Sequence, residues 1–273
     1  MSLKQLAMRI KSTTSTAKIT KAMKMVAAAK LKGAERMMLA ARPFATSIGS
    51  LMEPHLSPSE EDEKPESSVL LAISSDKGLC GGINARVVKE VKQQLADAGE
   101  DALPTLLIVG SKARDGLNRT HGKYIDTSFD ETYSMPVTFS LASFLAEQML
   151  AKPVDQYTLL YNKFVSVIAF DVAPKTLKGP SVLGESGVFD EYEFEGDKED
   201  VLANLYQFNL ATQLYSSLLE NVTSEQASKM TAMDSATTNA NEMIDKLTIV
   251  YNRQRQAKVT TELTEIVAGA ESV

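Results

Sequence analysis

The stretch from Asp197 to Ala268, DKEDVLANLYQFNLATQLYSSLLENVTSEQASKMTAMDSATTNANEMIDKLTIVYNRQRQAKVTTELTEIVA, contains neither glycine nor proline. Average usage would place about eight or nine such residues in a run of this length, so one continuous element has been kept free of breakers. The spacing of its apolar and small residues says which element. Val201, Leu205, Phe208, Thr212, Tyr215, Leu219, Val222, Gln226, Lys229, Met233, Ala236, Ala240, Met243, Leu247, Val250, Gln254, Ala257, Thr261, Thr264 and Ala268 alternate steps of four and three. That is a heptad seam, which predicts an α-helix wound into a left-handed supercoil. Wholly helical, the stretch would be about 110 Å long. A compact domain of this mass is about 40 Å across, so most of the helix is expected to project. Towards Gln254, Thr261 and Thr264 the seam turns polar and small, and that end is expected to need an external sleeve.

The same spacing recurs at the other end of the chain in Leu3, Leu6, Ile10, Thr13, Ala17, Thr20, Lys24, Ala27, Leu31, Ala34, Met38 and Ala41. Two seams at opposite ends of one chain satisfy each other most economically as an intramolecular antiparallel coiled coil. Small seam residues such as Ala17, Ala27, Ala236, Ala240 and Ala257 allow close approach of the axes. The N-terminal helix is also strongly basic. From Ser2 to Arg42 its only acid is Glu35, against Lys4, Arg9, Lys11, Lys18, Lys21, Lys24, Lys30, Lys32, Arg36 and Arg42. Its apolar residues keep heptad spacing and include no Trp or Phe wedge, which weakens membrane-surface and nucleic-acid readings. A face directed at an acidic protein surface remains, beside the plainer reading of a solvated helix.

The middle reads as an α/β unit with a mainly parallel sheet. Short β-rich runs at Val69–Ser74, Thr105–Val109, Tyr157–Tyr161 and Phe164–Phe170 are separated by helical stretches at Ile83–Ala98 and Val137–Ala151. Asn162 and Lys163 read as a hairpin turn. Pro54–Ser68, with Glu60, Glu61, Asp62, Glu63 and Glu66, reads as a solvated acidic loop, and Pro174–Gly187 as a second loop. The segments are therefore 1–53, an N-terminal coiled-coil helix; 54–196, a central α/β domain; and 197–273, a C-terminal coiled-coil helix.

Composition excludes several classes. A chain of 273 residues with 44% hydrophobic and 23% charged residues is globular in character. Its net charge of −6 argues against general nucleic-acid binding. No apolar run approaches the roughly 18 residues of a membrane span, and the first residues lack the apolar core of a secretory signal. One cysteine, Cys80, rules out an intramolecular disulfide and fits a reducing compartment. With His55 and His121 as the only histidines, no metal-ligand cluster or activated thiol is expected, so no catalytic, metal or cofactor site is assigned. Ser74-Ser75-Asp76-Lys77-Gly78-Leu79-Cys80-Gly81-Gly82 follows a strand and opens a helix, where doubly wound folds cradle phosphate. It has neither GxxxxGK[ST] nor GxGxxG spacing, so a tight strand-to-helix turn is the plainer reading.

Several motifs together carry a resemblance. The run Lys18-Ile19-Thr20-Lys21-Ala22-Met23-Lys24-Met25-Val26-Ala27-Ala28-Ala29-Lys30 resembles the N-terminal helix of the gamma subunits of F-type rotary ATP synthases. So do Ser75–Gly82, Thr223-Ser224-Glu225-Gln226-Ala227, Tyr251-Asn252-Arg253-Gln254-Arg255-Gln256-Ala257 and the ending Thr260–Ala270. The resemblance implies an α/β protein with a long antiparallel left-handed coiled coil of the terminal helices and a central Rossmann-like α/β domain. It implies a non-catalytic rotor shaft within a ring of three alpha and three beta subunits. The shaft would stand on the c-subunit ring beside delta and epsilon type central-stalk subunits. Its expected location is the matrix side of the mitochondrial inner membrane, peripherally, or the cytoplasmic face of a bacterial plasma membrane. By similarity, Arg255 and Gln256 catch a beta subunit, Lys77 and Lys89 meet its acidic hinge-region loop, and Met23 and Lys24 belong to the segment tied to coupling, facing Thr260 and Glu262. Lys77 stands where Arg is frequent in the family, which removes bidentate carboxylate pairing. The regulatory dithiol insertion of chloroplast members is absent, and Met230–Leu247 looks more mitochondrial than bacterial. Two other classes keep their discriminators: a coiled-coil adaptor would dimerise through its own seam, and an α/β nucleotide enzyme would bind ATP or NAD as an isolated chain.

Overall fold

The computed structural model describes residues 2–58, 65–98, 103–185, 189 and 192–271. Along the chain run α1 (Leu3–Leu56), β1 (Ser68–Ile73), α2 (Ile83–Ala98), β2 (Thr105–Val109), α3 (Ser111–His121), a 3-10 turn (Gly122–Tyr124), β3 (Ile125–Phe129), α4 (Phe139–Leu150), β4 (Gln156–Ser166), β5 (Ala169–Lys178), α5 (Ser181–Glu185) and α6 (Lys198–Glu271). Packing groups them into two compact units, Met1–Ala27 with Met230–Val273, and Ala28–Lys229. This is a different cut from the three sequence segments, because each long helix contributes to both units.

Both long helices begin with a side-chain cap. The Ser2 hydroxyl accepts from the Gln5 N–H at 3.3 Å while Gln5 Oε1 accepts from the Ser2 N–H at 2.9 Å, a reciprocal capping box. Asp197 Oδ1 accepts from the Glu199 N–H at 2.9 Å, and Glu199 and Asp200 put negative charge at the positive end of the α6 dipole. Helix α1 passes through Pro43 and continues through Pro54 to Leu56. A proline forgoes one rung of the ladder and costs about 3 kcal/mol inside a helix. Here buried Met38, Ala41, Ala45, Met52 and Leu56 hold the segment in helical form. The expected loop start at Pro54 is thus corrected to after Leu56, and Glu60 to Glu63 lie outside the described residues.

In the first unit, residues 3–27 of α1 run antiparallel to the distal part of α6. The Thr20 and Thr237 hydroxyls are 2.7 Å apart, Lys24 Nζ donates to Asp234 Oδ1 at 2.6 Å, and Thr13 Oγ1 lies 4.0 Å from Met243 Sδ. Partners descend on one helix as they rise on the other. Every residue of the expected α1 seam, from Leu3 through Ala41, is buried or half-buried. The α6 seam needs a correction: Met243 and Val250 are exposed, and Ile244 and Tyr251 are the half-buried residues. The stripe is Met233, Thr237, Ala240, Ile244, Leu247, Tyr251 and Gln254, still in steps of four and three. Thr13, Thr14, Thr237 and Thr248 each turn the hydroxyl back onto the carbonyl four residues earlier, so these four bring no unsatisfied donor.

The second unit is built on a five-stranded sheet of order β3-β2-β1-β4-β5, parallel except for the antiparallel β4–β5 edge. Strand β1 is buried along nearly its whole length, as a central strand covered on both faces must be. One face packs Leu70, Ala72, Leu106, Ile108 and Leu160 against Val87, Val91 and Leu95 of α2 and Ala113 and Leu117 of α3. The other meets α6: the Tyr157 and Tyr206 rings lie 6.3 Å apart, and the Tyr206 hydroxyl donates to the Lys178 carbonyl at 2.8 Å. Here α6 is buried beyond its heptad seam, with Asn209 through Leu214 all inaccessible, while the seam residue Phe208 is exposed and stacks edge-on with Phe44.

Three further expectations are overturned. Asn162 and Lys163 are not a turn but continue β4, and the hairpin turns at Val167 and Ile168. Pro174 to Lys178 belong to β5, and Ser181–Glu185 is helical. His121 ends α3, a helix not expected from the sequence. That helix is tightly placed. Gly116 lets it approach α2 so closely that a Cβ would sit 2.9 Å from Val88 Cγ2, and Gly110, at φ 94, would put one 2.7 Å from the Ser74 carbonyl oxygen. Gly110→Ala therefore combines left-handed strain with a backbone clash. It should lower the unfolding free energy by about 2 kcal/mol or more in urea titration; an unchanged midpoint would contradict this geometry.

Candidate functional site

The place where an open α/β sheet holds a ligand is the crevice beyond the carboxyl ends of its strands, at the point where strand order reverses. In this sheet that point lies between β1 and β4, and α6 fills it with polar side chains. Asn221 Nδ2 donates to the Ser74 carbonyl at 3.3 Å and to the Tyr133 hydroxyl at 3.1 Å, and Asn162 Nδ2 donates to Asn221 Oδ1 at 2.7 Å. Ser224 Oγ donates to the Asn162 carbonyl at 3.1 Å, and Ser228 Oγ to the Cys80 carbonyl at 2.5 Å. Burial pushes the Tyr133 hydroxyl far above its ordinary titration range, so it stays protonated.

The loop after β1 is tied down from inside. Asp76 accepts the N–H groups of Ser111, at 3.0 Å, Glu131, at 3.1 Å, and Tyr133, at 3.5 Å, which consumes the acid that a nucleotide site would turn towards ribose or metal. Asn84 Oδ1 accepts from the Ser75 N–H at 3.0 Å, and Asn84 Nδ2 donates to Ser75 Oγ at 2.9 Å. The Cys80 thiol donates to the Lys77 carbonyl at 3.4 Å, and burial raises its titration point. The phosphate-loop reading is disfavoured because Asp76 is spent on three backbone N–H groups and the Lys77 and Cys80 carbonyls are held by side chains of the chain itself. Among the described residues there is no group of three metal-ligating side chains.

Beside this network stands an ion pair that sequence reading did not single out. Glu220, almost wholly buried, accepts from Arg42 Nε at 2.6 Å and Nη2 at 3.0 Å and from the Phe164 N–H at 2.8 Å, while Arg42 Nη2 also donates to the Phe164 carbonyl at 2.9 Å. One bidentate contact thus joins α1, β4 and α6. No local pattern marks it, since its members are far apart in the chain.

Of the residues named by resemblance, Lys77 in the β1–α2 loop and Lys89 on α2 are exposed. Met23 is half-buried. Lys24 is paired with Asp234 and does not face Thr260 or Glu262, a correction: the antiparallel register sets Asp234 opposite it, about 40 Å along α6 from Thr260. Glu262 instead pairs with Lys258 at 3.4 Å on its own helix. From Arg255 to Ala270 every residue of α6 is exposed, including Gln256 and the apolar Val259, Leu263, Ile266 and Val267. Lys4, Arg9, Lys11, Lys18, Lys21, Lys30, Lys32 and Arg36 are exposed on α1.

The chain matches a family model described as ATP synthase over residues 2–273. It is 40% identical to the ATP synthase gamma chain of Paramagnetospirillum magneticum, covering 100% of this chain and 99% of that one. It is likewise 40% identical to the mitochondrial ATP synthase F(1) complex subunit gamma of Rattus norvegicus, over 98% of each. Among solved structures, a chain of the central stalk and c-ring of Tetrahymena thermophila mitochondrial ATP synthase is similar at 32% identity and TM-score 0.69, covering 80% of this chain and 99% of that one. A chain of the Euglena gracilis mitochondrial enzyme in rotational state 3 shares the fold at TM-score 0.83 and 19% identity, over 99% and 94%.

Two measurements check the site. With its thiol protonated and enclosed, Cys80 should react with iodoacetamide at least about tenfold more slowly in the folded chain than in urea. Glu220→Gln leaves Arg42 half-buried without its counter-charge; between the values for exposed and buried pairs, the loss should be about 2 kcal/mol in denaturant titration.

Proposed function

Because the chain belongs to the ATP synthase gamma-chain family, we propose that it is the central rotor shaft of a rotary ATP synthase, carrying ion-driven rotation of a membrane ring to the catalytic subunits. The observation that carries this reading within the molecule is the end of α6. A helix exposed on all sides from Arg255 to Ala270, with Val259, Leu263, Ile266 and Val267 in solvent, is suited to a surrounding surface. Its own bonds sustain it: Thr260, Thr261 and Thr264 donate to carbonyls four residues earlier.

The surrounding surface is the ring of alpha and beta subunits, and the α/β unit is the part that meets the c-subunit ring and the delta and epsilon type subunits. Rotation changes which contacts each beta subunit makes and so biases its open and closed states in turn. The exposed lysines and arginines of α1 serve that exchange, since exposed ion pairs worth about 0 to 1 kcal/mol are made and broken without trapping the rotor. The chain itself is non-catalytic, a reading supported by a switch-point crevice filled with Asn221, Ser224 and Ser228. Among the described residues no helix is long and apolar enough to cross a membrane, which accords with attachment through partner subunits on the matrix side of the mitochondrial inner membrane or the cytoplasmic side of a bacterial one.

Arg255 and Gln256 are the residues of the free end that engage a beta subunit, with Lys77 and Lys89 as basic contacts on the α/β unit. Met23 and Lys24 act through the coiled coil, Lys24 by its bond to Asp234, and Thr260 and Glu262 by the surface they share with Arg255. Replacing Arg255 and Gln256 with Ala should reduce ATP synthesis or complex yield severalfold while leaving helicity unchanged; wild-type values for both would remove these residues from the role. Met243→Pro breaks α6 within its paired part, ahead of the free end, at a local cost of about 3 kcal/mol or more. Complexes carrying it should hydrolyse ATP without pumping ions, and full coupling would sink the shaft.

A further inference from the structure

Whereas α6 fills the crevice at the carboxyl ends of the strands, the opposite end of the sheet keeps a cleft of about 200 Å³, between the first residues of β1 and β4 and the last turns of α2. Its floor follows from strand register. Ser68 pairs with Gln156 and Leu70 with Thr158 in the parallel β1–β4 ladder, so the four side chains stand on one face of the sheet in two adjacent rows. Leu70 shares a core cluster with Val91 and Leu95, which makes that face the one beneath α2. On the helix, Gln94, Asp97 and Ala98 are three and four residues apart and so overhang the cleft together.

The lining is chemically one-sided. Leu70, Pro65 and Pro104 supply apolar walls, and neither proline has an N–H to offer. The polar groups around them are the Asp97 carboxylate, the Ser68 hydroxyl and the Gln156 carboxamide, all able to accept. Among the described residues these three side-chain groups have no hydrogen-bond partner, and Gln94 has only a 3.4 Å contact with Glu90. Helix α2 also turns the negative end of its dipole towards the cleft, with no basic residue in its last turn to offset it. A ligand suited to this place is small, positively charged, rich in donors and partly apolar. An apolar cavity of about 150 Å³ takes a benzene ring. The present cleft therefore admits a ring or a short alkyl stem and leaves a polar head among the rim acceptors.

We propose that this cleft is a binding site for a small amidinium or guanidinium cation, its apolar stem against Leu70 and its planar head donating to Asp97, Ser68 and Gln156. A planar fork of donors reaches acceptors on α2, β1 and β4 at once, which a compact ammonium does less well. A guanidinium head on a short stem occurs both in free small molecules and in arginine side chains, and the cleft meets the same atoms in either. The site belongs to the α/β unit alone, so it is present whether or not the chain turns within a complex.

The test titrates the isotope-labelled full chain with benzamidine and with its neutral isostere benzamide, following backbone amide resonances by NMR. Benzamidine should bind at about 1 mM, the range open to so small a ligand, and should shift the amides of Ser68, Leu70, Gln94 and Gln156. Benzamide, lacking the charge, should bind about tenfold more weakly. Asp97→Asn, an exposed change at a helix end, should weaken benzamidine about threefold at an unaltered melting temperature. Ala98→Leu keeps a good helix former and fills the cleft, so it should abolish the shifts while the fold holds. Equal affinity for benzamide, shifts confined to other regions, or parental binding in either variant would overturn the proposal. A second arm compares butylguanidine with a capped arginine tripeptide. Tighter binding of the first supports the site with a free small cation as its ligand, tighter binding of the second supports it with an arginine side chain, and binding of neither overturns it.

Discussion

The α/β unit hangs on a buried carboxylate. Glu220 sits in the wall of the sheet with both oxygens committed, one to Arg42 Nε and the other to Arg42 Nη2 and the Phe164 N–H. A desolvated charge of this sort is tolerable only with its partners in place, and each partner belongs to a different element. The consequence is geometric rather than energetic. An apolar helix could slide or rotate on an apolar sheet at modest cost, but a bidentate pair has one satisfactory register. The amide chain of Asn162, Asn221 and the Ser74 carbonyl repeats the constraint one residue further along α6. Together they hold the helix against the sheet edge where the strands end.

That choice of polar contacts also bears on how the crevice is used. A doubly wound sheet offers its carboxyl-end crevice by topology, and many proteins place a nucleotide there. In this chain the crevice is spent on attaching a helix, and Asp76 and the Cys80 turn are spent on keeping the loop closed. The crevice of such a fold here receives a helix, which illustrates why function is argued from side chains in place and not from strand order.

The helices were legible in the sequence because their signals are long and redundant. A breaker-free run with heptad spacing survives individual errors, such as taking Met243 and Val250 for Ile244 and Tyr251, since each pair differs by one step around the helix. The start of α6 at Asp197 and the bounds of α2 were legible from local chemistry. Helix α3 and strand β3 were not. Glycine usually punctuates a chain, yet Gly110 and Gly116 serve close approach to Ser74 at the end of β1 and to Val88 of α2. The edge strand Ile125–Phe129 is too partially buried to show a period. The Asn162 turn was misread because asparagine favours turns, whereas here its amide is a buried anchor in mid-strand. The Glu220 pair, and the partner of Lys24, depend on register between distant segments, which no single-sequence pattern encodes.

The unaccompanied end of α6 has a mechanical consequence. Up to about Gln254 the helix is one strand of a two-stranded cable; from Arg255 it continues as a single strand. A lone helix resists twisting and bending less than a pair locked by interdigitating side chains, because only its own backbone ladder opposes deformation. Any torque arriving through the cable is therefore delivered through a softer terminal link, which can wind up against a stationary collar and release later. Angular steps imposed at one end need not coincide with those completed at the other.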